Sequence, residues 1–130
     1  MKKFFVFIIV LFIVSCLPID TYYPIWIKNN SNKDVYFFET NMYPDTLLPN
    51  TNINVVFLKK GDKEGIGSTH PWDETFSAQF PSDTLLIYYF DSDTISKYSW
   101  EEIRSKHKIL RKNLYSKQDL MNTNWTITYP

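Results

Sequence analysis

Apolar and polar residues alternate in short runs from residue 25 onward, and the period of each run predicts its element. Ile25-Trp26-Ile27-Lys28 reads as a first strand, stopped by Asn29-Asn30-Ser31-Asn32, whose side chains bond their own backbone and favour turns. Asp34 to Glu39 predicts a second strand, with Val35 and Phe37 on one face and Tyr36 and Phe38 on the other. Tyr43-Pro44-Asp45-Thr46 predicts a turn with proline at its second position. Ile53, Val55 and Phe57 alternate with Asn54, Val56 and Leu58 in a third strand. Lys59 to Gly67 then holds all three glycines (Gly61, Gly65, Gly67) and reads as a flexible hairpin loop. Phe76, Ala78 and Phe80 alternate with Ser77 and Gln79, predicting a short edge strand. Leu85 to Phe90 is apolar on both faces, as a strand buried on two sides must be.

After Asp91 the period lengthens. Ser99 with Glu102 three residues on predicts a capping box, and Trp100, Ile103 and His107 then share one side of a helix. Strand character returns over Ile109 to Tyr115, with Leu110 and Leu114 set against Arg111 and Asn113. Ser116 with Asp119 predicts a brief helical turn. Trp125-Thr126-Ile127-Thr128-Tyr129 closes the chain, with Trp125, Ile127 and Tyr129 expected to face inward. Seven strands with turns between them predict a mainly β domain, a single antiparallel β-sandwich with a short helical insertion near residues 94–106. An immunoglobulin-like arrangement is one version of it, and a small closed barrel is the competing architecture.

The first 15 residues follow a different pattern. Lys2 and Lys3 precede an unbroken apolar run of 11 residues, Phe4 to Val14. A helix needs roughly 20 apolar residues to span a bilayer. A positive start, a short apolar stretch and a small residue before the break describe a secretory signal peptide. The expected organisation is a signal peptide over 1–15, a tether over 16–23 and a β-sandwich domain over 24–130.

Composition sharpens this. Cys16 is the only cysteine, so no intrachain disulfide can form and the domain rests on its core. Taking Lys2 and Lys3 from the 14 basic residues leaves 12 against 14 acidic ones, a formal charge of −2. That balance lacks the basic footprint of a nucleic-acid binder. Aromatic residues at 18% with only three glycines argue for a packed sheet and against disorder.

Two resemblances extend the reading. Ile13-Val14-Ser15-Cys16 resembles the lipobox of bacterial lipoproteins, which implies diacylglyceryl attachment to the Cys16 sulfur, cleavage before it and acylation of the new amino terminus. Several acyl chains hold a protein on a membrane almost permanently. Leu17 follows, without an acidic cluster, so delivery to the outer membrane is expected, on either its periplasmic or its surface side. Three further segments, Tyr43-Pro44-Asp45-Thr46, the stretch from Asp91 through Tyr98-Ser99-Trp100-Glu101-Glu102-Ile103, and Asn124-Trp125-Thr126-Ile127-Thr128-Tyr129-Pro130, make the chain similar to small uncharacterised lipoproteins of the Bacteroidota. That resemblance implies no activity. It does imply O-glycosylation at Asp-(Ser/Thr)-apolar sites, which here are Thr46, Thr84 and Thr94. The same residue pairs also serve as ordinary turn and cap residues.

Catalytic signals are sparse. Gly-x-Ser-x-Gly does not occur, and the glycine-rich segment lacks the Lys-Ser/Thr ending of a phosphate loop. His70-Pro71-Trp72-Asp73-Glu74 is the densest polar-aromatic cluster. Its histidine and carboxylates could bind a metal or share a proton, but no second histidine lies nearby. His107 reads as a core-edge imidazole. Asp91, Asp93 and Glu102 take positions one, three and twelve of a calcium loop, but Ser96 stands where the glycine belongs, so Asp93 reads as a helix cap. Among the four tryptophans, Trp26 and Trp125 read as core, and Trp72 as loop-borne. His70, Trp72, Asp73 and Glu74 are therefore the candidate binding surface, with no catalytic residue, metal or cofactor assigned. The expected function is a non-enzymatic binding or structural module for an envelope protein or glycan. The alternative is an immunity or inhibitor lipoprotein that neutralises a toxin or hydrolase through Lys59 to Glu74, and a small hydrolase using His70 with a carboxylate is the third reading.

Overall fold

The computed structural model describes residues 21–130. Cys16, the expected signal peptide over 1–15 and the first part of the expected tether lie outside the described residues. Seven strands and four short helices follow in the order β1 (Tyr23–Asn29), β2 (Val35–Thr40), β3 (Val56–Leu58), β4 (Lys63–Ser68), α1 (Trp72–Gln79), β5 (Thr84–Asp91), α2 (Ser92–Lys97), α3 (Trp100–Ser105), β6 (Arg111–Ser116), α4 (Lys117–Asn122) and β7 (Thr126–Tyr129). They form two sheets, β4-β1-β7 and β3-β2-β5-β6, and not a closed barrel.

The inner faces of the two sheets meet over Ile25, Ile27, Val35, Phe37, Leu85, Ile87, Tyr89, Ile127 and Tyr129, the main core. Val35 and Phe37 point into it and Tyr36 and Phe38 out of it, as their alternation predicts. The turn after β1 is locked by Asn29. Its buried amide donates to the carbonyls of Lys33 at 2.8 Å and Leu58 at 3.1 Å and accepts from the Ser31 amide at 2.9 Å. A buried polar side chain needs such partners to be tolerated. One pairing breaks the all-antiparallel expectation: β1 and β7, the first and last strands, run parallel, from Trp26↔Thr126 to Asn29↔Tyr129. Parallel neighbours need a long connection, and here nearly the whole domain supplies it.

β5 is buried on both faces, as its apolar run requires. Leu86, Tyr88 and Phe90 turn away from the main core and pack beneath Ile103, Leu48, Trp100 and Ile109. This second core is roofed by α2, α3 and the loop before β3, so the helical insertion expected near 94–106 seals an outer sheet face. The capping box of α3 is present: Ser99 Oγ accepts from the Glu102 amide and Glu102 accepts from the Ser99 amide, both at 3.3 Å. α4 has the same device in Ser116 and Asp119.

Five features differ from expectation. Residues 63–68 are not a loop but β4, paired antiparallel with β1 from Tyr23↔Ser68 to Lys28↔Lys63. The Tyr22 and Trp26 rings lie across this strand, and a Cβ at Gly65 or Gly67 would meet them, which is why glycine sits in a strand here. The turn before it, at Gly61, has φ +81. Phe76 to Gln79 is not an edge strand but the second half of α1, with Phe80 at its C-cap. Trp72, Phe76 and Phe80 are spaced four apart on one helix face, Pro71 sits at the cap, and Asp73 and Glu74 favour the first turn. The turn at Pro44 is closed by the Asp45 amide on the Met42 carbonyl at 2.9 Å, which puts Pro44 at its third position, after a cis peptide bond. Asp91, not Asp93, caps α2, accepting from the Asp93 amide at 2.9 Å. His107 has φ +51, stands exposed beyond α3, and is no core-edge residue.

Candidate functional site

The residues singled out in the sequence do not converge. Thr46, Thr84 and Thr94 lie in three separate places: in the loop after β2, at the start of β5 and inside α2. Each is half-buried. Local structure already accounts for their aspartate neighbours. Asp45 accepts from the Leu47 amide at 2.9 Å, Asp83 turns the chain with φ +52, and Asp93 pairs with Lys97 at 3.4 Å. Thr46 also receives the Tyr88 hydroxyl on its carbonyl at 2.8 Å. Burial, then the Asp45 charge, push the Tyr88 phenol up to about 12.

The 70–74 cluster divides. Trp72 is buried (6% exposed) as the first residue of α1, and its indole N–H donates to the Tyr23 carbonyl at 2.9 Å. It packs against Phe76, Phe80 and Trp125, so it offers no open ring for stacking a sugar. Trp26, read as core, instead lies on the outer face of the three-stranded sheet because Ile25 and Ile27 take the inward positions, and Lys63 Nζ sits 4.2 Å from its ring centre. His70, Asp73 and Glu74 are exposed. His70 Nδ1 lies 3.0 Å from the Thr69 hydroxyl, and Asp73 pairs with Lys117 at 3.6 Å. Among the described residues, no three histidine, cysteine or carboxylate side chains are grouped to hold a metal ion.

What the cluster borders is more informative. At the end of the sandwich where β1 begins, a cleft of about 430 Å³ opens between the sheets. The ends of β2 and β4, the start of β5 and one side of α1 line it. Ile66, Trp72, Phe80 and Leu85 make its apolar wall, and Asn41, Ser68, Thr69, Thr75 and Gln79 ring it with hydroxyls and amides. The frame is braced: Ser68 Oγ lies 2.9 Å from Thr75 Oγ1, tying β4 to α1, and Asn41 Nδ2 donates to the Gln79 carbonyl at 2.6 Å, tying the end of β2 to the end of α1. Its volume falls within the roughly 300–1,000 Å³ of small-ligand sites.

Glu39 is the only ionisable side chain among the residues lining this cleft. It stands opposite Ile87 in the β2–β5 register, so it shares the inward face with Val35 and Phe37. Burial lifts its carboxyl above the ordinary 4.5, offset in part by a hydrogen bond from its own amide. None of the ion pairs among the described residues includes it. Sequence reasoning passed over Glu39 because a glutamate ending a strand reads as solvent-facing. The signal was the alternation itself, which puts 35, 37 and 39 on one face.

No family model, no curated protein and no solved structure matches this chain.

Proposed function

We propose that the protein is a lipid-anchored binding module of the bacterial cell envelope. In this reading residues 1–15 direct export and are removed, Cys16 carries the acyl chains at the outer membrane, and the sandwich engages an envelope protein or a glycan without catalysing a reaction. The observation that carries it is the braced cleft: apolar walls, a polar ring and a carboxylate with no ion-pair partner among the described residues, held by hydrogen bonds on both sides of α1. The candidate catalytic groups support binding over chemistry by their disposition, since His70 and Asp73 are each engaged with a neighbour other than the other.

The neutraliser reading draws on the same region. Lys59 to Glu74 runs through β4 into α1, giving a mostly exposed surface of the kind an inhibitor presents.

Two measurements test the proposal. Intact mass of the exported protein should show acyl chains that a Cys16→Ser variant lacks. Capture from solubilised envelopes and on a glycan panel should retain a partner with the wild type and lose it with Thr69→Trp, which places a bulky ring at the exposed rim of the cleft. A bare Cys16 sulfur would overturn the anchor. Hydrolysis of a peptide, ester or glycan by the purified mature protein would overturn the non-enzymatic role.

A further inference from the structure

The core between the two sheets is apolar, and Glu39, on the same face of β2 as Val35 and Phe37, is the one ionisable group among the residues lining the cleft at its end. A carboxylate placed between two sheets is costly unless it is paired or hydrogen-bonded. The protein supplies only its own Glu39 amide, and no lysine, arginine or histidine lines the cleft among the described residues. The walls have a matching asymmetry. Ile66, Phe80 and Leu85 offer apolar surface, while the Ser68–Thr75 hydroxyl pair and Gln79 offer acceptors on the same lining as the carboxylate. A group that fits must carry one positive charge, several N–H donors and an apolar stem.

We propose that this cleft receives a lysine or arginine side chain of an envelope protein, its methylene stem against the apolar wall and its cationic head on Glu39. The proposal rests on the binding role given above and names the partner's chemistry. A protein side chain is favoured over a sugar because both aromatic rings at the cleft are already engaged: Trp72 is buried with its N–H on the Tyr23 carbonyl, and Phe80 stacks on Phe76 with ring centres 4.3 Å apart. The lifted Glu39 carboxyl agrees with a group that lacks its counter-ion, and a bound cation should bring it back down.

The test is an amide-resolved NMR titration of the full mature chain in detergent micelles. The probes are Nα-acetyl-lysine methylamide, Nα-acetyl-arginine methylamide, the neutral isostere Nα-acetyl-norleucine methylamide, and glucosamine. One of the two cationic amino-acid probes should saturably shift the Asn41, Ser68 and Thr75 amides. The norleucine probe, and either cation with Glu39→Gln, should bind at least about tenfold more weakly. Thr69→Trp should block the shifts with Glu39 intact.

Equal binding by the norleucine probe or by Glu39→Gln would overturn the assignment, as would the absence of any saturable shift. Saturation by glucosamine alone would overturn the protein partner in favour of an amino sugar. If Glu39→Gln still captures its partner from envelopes while Thr69→Trp does not, the binding module stands and the cationic side chain falls.

Discussion

The outer faces of the two sheets are treated in opposite ways. On the four-stranded sheet, Leu86, Tyr88 and Phe90 are fully buried under a roof of Leu48, Ile103 and Trp100. On the three-stranded sheet the corresponding face carries Pro24, Trp26 and Lys28 on β1, paired with Gly67, Gly65 and Lys63 on β4 and, for Trp26 and Lys28, with Thr126 and Thr128 on β7. No second cluster of buried residues lies over it among the described residues. The chain's own rings, Tyr22 and Trp26, take the space there that a Cβ would need at Gly65, and Tyr22 that at Gly67. The difference shows where the fold draws its cohesion. The four-stranded sheet is the middle layer of a three-layer stack, and the three-stranded sheet is the thin outer wall.

Truncating the roof gives the largest expected effect. Ile103→Ala should lower the unfolding free energy by about 2–4 kcal/mol in urea denaturation, the usual cost of deleting a buried branched side chain. Trp26→Ala should lose less than half as much despite removing a larger ring. Equal losses would mean that the thin wall is as tightly held as the roof.

The caps come next. Ser99→Ala on α3 and Ser116→Ala on α4 should each cost about 1 kcal/mol. The Ser99 amide and hydroxyl hold the Glu102 carboxyl below its ordinary 4.5, and the Ser116 hydroxyl and amide hold Asp119 below 3.8. Both contributions are present above those ordinary values and fade as the pH falls through the lowered ones. Thermal melts in acid should therefore loosen the α3 roof, and the Ser99→Ala variant should show a weaker acid dependence than the wild type.

Glu39 runs the other way. Its carboxyl is lifted, so its contribution is full when protonated and is lost as the pH rises from the ordinary 4.5 through the lifted value. Without ligand, Glu39→Gln should melt higher than the wild type at about pH 7, and the gap should close in acid. A variant that melts lower at neutral pH would show that the carboxylate supports the frame. Lys63→Ala gives the smallest effect, about 0.5 kcal/mol for the loss of its contact with the Trp26 ring at an exposed site. A larger loss would sharpen the view of the thin wall by showing that Lys63 helps to hold it.

The same contrast explains what the sequence disclosed. β5 announces itself because both faces are covered, leaving an uninterrupted apolar run. α3 and α4 announce themselves through serine-to-acid caps, a local chemistry that needs no tertiary partner. β4 is silent: Lys63-Glu64-Gly65-Ile66-Gly67-Ser68 contains one apolar side chain, because its outer face must make room for Tyr22 and Trp26. α1 misleads because Phe76-Ala78-Phe80 satisfies period two while Trp72-Phe76-Phe80 satisfies the helix, the face that packs on Trp125. The cleft was half legible. His70 and Trp72 pointed to the right end of the molecule, but its charged residue lies on β2, more than 30 positions earlier, and only folding brings it there.

The start of β1 is fixed beside the end of β4 by the pairing of Tyr23 with Ser68, and Ser68 also borders the cleft. Seven Cα-to-Cα steps separate Cys16 from Tyr23, a reach of roughly 25 Å at full extension. A molecule moored at Cys16 would thus keep its mouth within that reach of the leaflet it hangs from, with Pro130 at the opposite end of the sandwich. A longer leash would widen the set of partners within range.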